Sequence, residues 1–119
     1  MPLSEKEKAY IWDMLDAAIA IEDFVRGKLL DDYMSNRMLR GAVERHIEII
    51  GEAARRISEE SKQEYAEIPW RAIVGQRNVL AHDYGEVLHE AIWAIATRRI
   101  PELVSALRNI LPNDPSQTD

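Results

Sequence analysis

Residues 77–84 bring several kinds of reactive group into one short stretch of this sequence. The order Arg-Asn-Val-Leu-Ala-His-Asp-Tyr supplies a cation, an amide, an imidazole, a carboxylate and a phenol. Histidine titrates near neutral pH and can accept or donate a proton. An arginine guanidinium can hold a phosphate and offset the charge that develops on it. Arg77, Asn78 and His82 therefore suit metal-independent cleavage of RNA, in which a base activates the ribose 2′-hydroxyl against its own phosphate.

The same stretch also fits a structural role, because an arginine and a histidine near a helix end commonly serve capping and ion pairing. The catalytic hypothesis further needs a second proton donor for the leaving oxygen, and this stretch holds only His82. Pairing of two chains about a two-fold axis would place two such histidines in one cleft. On the residues alone, both interpretations stay open.

No phosphate-binding loop and no metal site are predicted for this chain. A glycine-rich loop does not precede residues 77–84, so a P-loop motif is excluded. His46 lies beside an apolar helical stripe, His89 stands near the start of the last predicted helix, and no zinc-ligand spacing such as His-Glu-x-x-His occurs. We expect both histidines to be structural, and we expect neither a metal nor a cofactor.

Apolar residues recur at steps of three and four through most of the chain, which is typical of helices. The predicted helices cover residues 4–30 and 36–60, a segment from Ile68-Pro69-Trp70 to Tyr84, and residues 87–111. No alternating strand pattern is present. The sequence therefore predicts an all-α, up-down helical bundle, with residues 1–111 as one domain and residues 112–119 as a flexible tail.

The boundaries of the first two helices follow from local signals. Ser4 and Glu7 fit a capping box at the start of the first helix. A break is expected at residues 31–33, and a polar loop at residues 61–68. The apolar surface of the first helix is wider than one stripe, as in a helix buried on two sides, for example by its own domain and by a second copy.

Within the third helix, the spacing predicts how the reactive side chains are arranged. Asn78 and His82 are four residues apart and share one face, whereas Arg77 and Tyr84 are seven apart and fall nearly on one line. The apolar residues of this helix are Trp70, Ile73, Val74 and Leu80, and Val79 and Leu80 are expected to turn inward.

Several other positions indicate local constraints. Gly85 is expected to stop the third helix, and Pro101 to kink the fourth just before its own position. Gly51 lies inside the second helix, where glycine costs about 1 kcal/mol relative to alanine, so close approach of another helix or a ligand is expected there. Glu48 and Glu52 are like-charged neighbours one turn apart, and we expect an arginine from elsewhere to pair with one of them.

Composition describes an acidic chain without cysteine. The formal net charge of −6 over 119 residues excludes nucleic-acid binding through bulk positive charge. Residues 35–111 carry equal numbers of acids and bases, and nearly all of those bases are arginine, so any polyanion would be held locally. The chain has no disulfide, thiolate metal site or cysteine nucleophile. It shows no signal-peptide pattern and no long apolar run, so we expect a cytoplasmic protein without membrane contact.

Read as Arg-x4-His-x-Tyr, residues 77–84 resemble the signature of HepT-type HEPN-domain toxins. The resemblance extends back to Ile68-Pro69-Trp70, and it includes Ile50-Gly51-Glu52-Ala53 and Ile100-Pro101-Glu102-Leu103. In all it spans about residues 6–111. One departure follows the motif tyrosine, where the family commonly has an aromatic residue and then Val-Asp, and this chain has Gly85-Glu86-Val87.

The resemblance implies a HEPN-like helical homodimer with a composite cleft at its interface. It also implies a ribonuclease toxin of a HepT/MntA-type toxin–antitoxin system, known as type VII. Arg77 and His82 match the catalytic pair of the family, and Asn78 matches the polar residue that usually follows the arginine. The antitoxin MntA is a minimal nucleotidyltransferase that blocks the toxin by attaching AMP to the motif tyrosine, here Tyr84. The implied partners are a second copy, an RNA such as tRNA or mRNA, and that nucleotidyltransferase.

Two further hypotheses are compatible with the same residues. The chain could be a non-catalytic HEPN accessory subunit that presents Tyr84 and its arginines to a nucleotidyltransferase. It could also be a helical dimer without a functional site.

Overall fold

The chain folds into α-helices joined by short connections. The structure is a computed structural model that describes residues 3–111. Its elements are α1 (Glu5–Val25), α2 (Leu30–Ser35), α3 (Arg37–Arg55), α4 (Glu59–Glu64), α5 (Trp70–His82), α6 (Gly85–Ala94), one π-helical turn (Ile95–Arg99) and α7 (Ile100–Ile110). No strand occurs within this range, and the predicted all-α class is confirmed. The predicted C-terminal tail lies outside the described residues.

Helix α1 lies at the centre of the packing, because it contacts both α3 and α7. Helix α5 packs on α3, and α6 packs on α5 and α2. The apolar residues that recur at steps of three and four in the second predicted helix are all buried: Leu39, Val43, Ile47, Ile50, Ala54 and Ile57. The wide apolar surface of α1 is thus explained within one chain, since two helices cover it. No helix between residues 3 and 111 is long and apolar enough to span a membrane.

The break predicted at residues 31–33 is wrong. Helix α1 ends at Val25, and Gly27 adopts a positive φ of 73°, a left-handed conformation that favours glycine. The chain then forms α2, whose start is stabilised by the Leu29 N–H donating to the Asp32 carboxylate at 2.7 Å. Tyr33 lies in this short helix and is completely buried.

The polar loop predicted at residues 61–68 is also partly wrong, because α4 occupies residues 59–64. The Ser58 hydroxyl accepts from the Ser61 N–H and caps this helix. The predicted N-cap at Ser4 is confirmed by the Glu7 N–H, which donates to its hydroxyl at 3.1 Å. The Glu7 carboxylate also accepts from the Ser58 N–H and the Ser61 hydroxyl, each at 2.9 Å, and so ties α1 to α4.

The third and fourth helices meet differently from the prediction. Helix α5 ends at His82, and Gly85 does not terminate it but begins α6 with a positive φ of 58°. The interruption predicted before Pro101 is confirmed, since the π-helical turn occupies Ile95–Arg99. Proline removes one backbone donor and its ring crowds the preceding turn, which accounts for the widened turn at this position.

Candidate active site

Helix α5 carries most of the predicted site residues. Arg77, Asn78 and His82 all lie on it, and Asn78 and His82 are separated by about one turn, as predicted. The prediction that Tyr84 shares a helical line with Arg77 is wrong. Tyr84 follows the helix end in extended backbone, with φ −135° and ψ 154°, so helical geometry does not set its direction.

The stem of Arg77 crosses α3 directly over Gly51. A Cβ atom at position 51 would lie 2.5 Å from the Arg77 Cδ and 2.6 Å from its Cγ. Real Cβ atoms do not tolerate such distances, so only glycine admits the stem in this position. The close approach predicted from the mid-helix glycine is confirmed, and the approaching group is Arg77 of α5.

Glu52, the next residue on α3, holds the Arg77 head group. The Arg77 Nη2 lies 3.7 Å from the Glu52 Oε1, and the Arg55 Nη2 lies 3.3 Å from the other carboxylate oxygen. The predicted arginine partner of this carboxylate is therefore confirmed. The side chains of Arg77 and Glu52 are each 44% exposed. An exposed ion pair contributes little to stability, so a phosphate could replace Glu52 as the partner of Arg77.

Arg77 and Asn78 border a groove of about 600 Å³ between α3, α4 and α5. Its lining combines the basic side chains of Arg55, Lys62, Arg71 and Arg77 with a single acid, Glu59. Trp70 and Val74 supply apolar surface. The lining of the groove thus carries more bases than acids, on a chain whose net charge is −6.

Two basic residues of the groove, Lys62 and Arg71, were not among the predicted site residues. Trp70, predicted as an apolar residue of the third helix, packs partly buried against the core and also lines the groove. Val74, another apolar residue of this helix, is 58% exposed along the groove. The available signal was the spacing of Arg71, Val74 and Asn78, which places them on one helical face. Lys62 reaches the groove from α4, and no feature of the sequence indicated that α4 would lie beside α5 at this point.

His82 and Tyr84 lie outside this groove on exposed surface. The side chain of Tyr84 is 82% exposed, and neither it nor the His82 imidazole has a hydrogen-bond partner within residues 3–111. Val87, at the start of α6, is 66% exposed. One chain therefore brings Arg77 and Asn78 together at the groove, and leaves His82 and Tyr84 uncovered beside it.

The two remaining histidines, His46 and His89, are partly buried. The His46 ring contacts the edge of Phe24 at 5.0 Å between centroids, and its Nδ1 lies 2.7 Å from the Ala42 carbonyl oxygen. The Nδ1 of His89 is buried without a partner in the described part of the chain. Across residues 3–111, no group of three or more His, Cys, Asp or Glu side chains is placed to hold a metal ion.

The fold and the site define a small helical-bundle protein that exposes an Arg-x4-His pair at the end of one helix. A family model described as "Ribonuclease HepT-like" matches residues 14–110. The chain belongs to this HepT-like ribonuclease family, as the resemblance in the sequence implies. No solved structure gives a significant match to the chain.

Curated relatives agree with this assignment over most of their length. "Probable ribonuclease HepT" of Thermococcus cleftensis is 34% identical over 101 residues, which is 85% of this chain and 92% of the relative. "Putative RNase MJ1380" of Methanocaldococcus jannaschii is 33% identical over 96 residues, covering 81% of this chain and 88% of the relative. "Putative RNase TTE0752" of Caldanaerobacter subterraneus is 30% identical, covering 90% and 96%.

Proposed function

We propose that the protein is a metal-independent RNA endonuclease and the toxin of a type VII toxin–antitoxin system. Its membership of the HepT-like ribonucleases supports this assignment. The observation that carries it is the placement of Arg77, seated over Gly51 at the edge of a cationic groove, on the same helix as the exposed imidazole of His82. Arg77 can hold a phosphate, and His82 can accept or donate a proton.

In the proposed reaction, the His82 imidazole accepts the proton of a ribose 2′-hydroxyl. The 2′-oxygen then forms a bond to the adjacent phosphorus, and the bond from phosphorus to the 5′-oxygen of the next nucleotide breaks. The products are a 2′,3′-cyclic phosphate and a 5′-hydroxyl that takes up a proton. Arg77 offsets the negative charge that grows on the phosphate oxygens, and Asn78 can donate to one of them.

The leaving 5′-oxygen needs a proton donor other than the His82 that acts as base. We propose that a second copy of the chain supplies it, through its own His82, in a composite cleft at a homodimer interface. The uncovered side chain of Val87, five residues after this histidine, supports an interface here, since contact with a second copy would remove it from water.

The test of this function is cleavage of tRNA and mRNA by the purified full-length protein in the presence of EDTA. His82→Ala and Arg77→Ala should each lower the rate by at least about 100-fold, as expected for loss of a general base or of a phosphate-stabilising cation. Arg108→Ala is a matched control, because Arg108 is an exposed arginine on α7 away from the groove. Its cleavage rate should be unchanged.

Toxicity in cells separates this function from the accessory-subunit alternative, which is favoured by the position of His82 outside the groove. A toxin should lose its effect on growth with His82→Ala. Equal toxicity of the wild-type and His82→Ala proteins would reject the catalytic role and support a non-catalytic binding subunit.

We also propose that Tyr84 is the site at which a nucleotidyltransferase antitoxin of the MntA type attaches AMP. The exposed phenol, 82% accessible and without a hydrogen-bond partner among residues 3–111, supports access by another enzyme. With such an enzyme and ATP, Tyr84→Phe should abolish the added mass of AMP while keeping most of the cleavage activity. Tyr10→Phe is the control, and adenylate that persists on the Tyr84→Phe protein would show that the acceptor is another residue.

A further inference from the structure

The groove beside Arg77 is lined by basic and aromatic side chains that the proposed catalysis by Arg77 and His82 does not need. It lies between α3, α4 and α5, holds about 600 Å³, and continues along α5 away from His82 towards Trp70. Among its basic side chains, Arg71 has no acidic partner within residues 3–111. Lys62 pairs with Glu59 at 3.8 Å, but the Glu59 side chain is 84% exposed, so this pair is readily exchanged for another anion.

The floor of the groove combines an aromatic ring with these cations. Trp70 is held in place because its indole N–H donates to the Tyr65 carbonyl at 3.1 Å. The Lys62 ammonium lies 5.8 Å from the centre of the indole ring. A fixed aromatic surface with adjacent cations is the combination that binds single-stranded nucleic acid, in which unpaired bases contact rings and phosphates contact basic side chains.

We propose that this groove is a binding subsite for single-stranded RNA that flanks the cleaved phosphate. Arg71 contacts a phosphate of the flanking nucleotides, and Trp70 contacts an unpaired base. Arg71 and Asn78 are seven residues apart on one face of α5, so about 10 Å of helix separates the flanking contact from the cleavage site. The inference rests on the proposed ribonuclease function and names the class of substrate for the same site, namely RNA without a stable duplex at the cut.

An RNA occupant agrees with the charge of the groove better than an apolar protein partner does. Four bases and one acid line the groove. Arg55 and Arg77 pair with Glu52 outside this lining and Lys62 pairs with Glu59, which leaves Arg71 as the lining base without an acidic partner among residues 3–111. Arg77 also lines the groove. A strand that places its phosphate at Arg77 would therefore extend into the groove.

Binding can be measured without cleavage in the full-length His82→Ala protein. The probe is a fluorescein-labelled, single-stranded oligoribonucleotide of mixed sequence, followed by anisotropy as a function of salt. Adding Arg71→Ala should weaken binding about fivefold to tenfold, as expected for one charge-assisted phosphate contact. It should also lower the slope of log K against log salt by about 0.7. Arg108→Ala in the same background is the control and should change neither quantity.

Tryptophan fluorescence tests the base contact. The oligoribonucleotide should quench the emission of the His82→Ala protein, and Trp70→Phe should remove most of that quenching while Trp12 and Trp93 remain. A duplex of the same sequence should bind more weakly and quench less. Equal binding and quenching by the duplex would overturn the assignment to single-stranded RNA.

The possible results distinguish RNA binding in the groove from RNA cleavage by Arg77 and His82. If Arg71→Ala binds the probe with unchanged affinity and salt dependence, the subsite is rejected even where the wild-type protein cleaves RNA. If the wild-type protein binds RNA through Arg71 but cuts none, the proposed catalysis fails and the groove assignment stands. A change of oligomeric state in Arg71→Ala, measured by sedimentation, would show that the groove is covered by a second copy and would overturn the proposal.

Discussion

Replacing Gly51 with alanine tests whether the seat of Arg77 on α3 matters for catalysis. The new methyl group would lie 2.5 Å from the Arg77 Cδ and 2.6 Å from its Cγ. Carbon atoms in ordinary contact are about 3.5–4.0 Å apart. The arginine stem must therefore move by about 1 Å, since it is a flexible, half-exposed side chain and the helix backbone is not.

We expect this shift to affect cleavage far more than stability. Alanine inside a helix is favoured over glycine by up to about 1 kcal/mol, and this gain offsets part of the cost of crowding, so the free energy of unfolding should change by less than about 1 kcal/mol. Misplacement of a catalytic group by about 1 Å can cost about 100-fold in rate. The Gly51→Ala protein should thus unfold at nearly the wild-type temperature and cleave RNA about 10-fold to 100-fold more slowly.

Gly41→Ala is the matched control, because Gly41 is an exposed glycine on the same helix with no atom within 4 Å of the added Cβ. It should raise stability by up to about 1 kcal/mol and leave cleavage unchanged. In an Arg77→Ala background the clash is absent, so Gly51→Ala should there become as stabilising as Gly41→Ala. Wild-type cleavage by a folded Gly51→Ala protein, or no difference between the two backgrounds, would refute the reasoning.

Three further substitutions test the scaffold by thermal or urea unfolding. Tyr33→Phe should leave stability unchanged or raise it by about 1 kcal/mol, because the buried hydroxyl has no hydrogen-bond partner in the described chain; a loss above 1 kcal/mol would contradict this. Gly85→Ala should destabilise by about 1–2 kcal/mol, since φ is 58° there, and no loss would mean that the α5–α6 junction relaxes. The hydrogen bond from the Ser58 N–H helps to hold the pKa of Glu7 below its usual 4.5. The stabilisation that the ionised Glu7 carboxylate provides is therefore present above about pH 4.5, and it is lost as pH falls through the lower pKa of the folded state. Glu7→Gln should lower stability at pH 7 and flatten its decline below pH 4.5, and an unchanged acid profile would exclude this role.

Much of the scaffold could be predicted because it depends on local periodicity. The buried stripe of α3 and the interruption before Pro101 each follow from spacing or from the covalent structure of one residue. The breaks after α1 and before α4 were harder to place. Gly27 follows the end of α1 in a left-handed turn, and Ser58 starts α4 with a side-chain cap. Residue type alone does not mark such positions, because Gly41 and Gly51 lie inside α3.

Some features of the candidate site could likewise be predicted from the sequence, and others could not. Sequence alone determined which side chains could perform the chemistry, since the identity and spacing of Arg77, Asn78 and His82 are covalent facts, and it determined the family through the residues around them. It also indicated that something must lie against Gly51, because a glycine inside a helix has a cost that needs a reason.

Only the tertiary structure determined which side chains from different helices contact one another. It showed that the group above Gly51 is Arg77 itself, and that Glu52 holds its head group. It showed that Tyr84 lies in extended backbone beyond the end of α5, and that Lys62 of α4 lines the same groove as Arg71. These contacts join residues that are distant along the chain, and they depend on the angles at which whole helices pack, which the periodicity of any single helix does not contain.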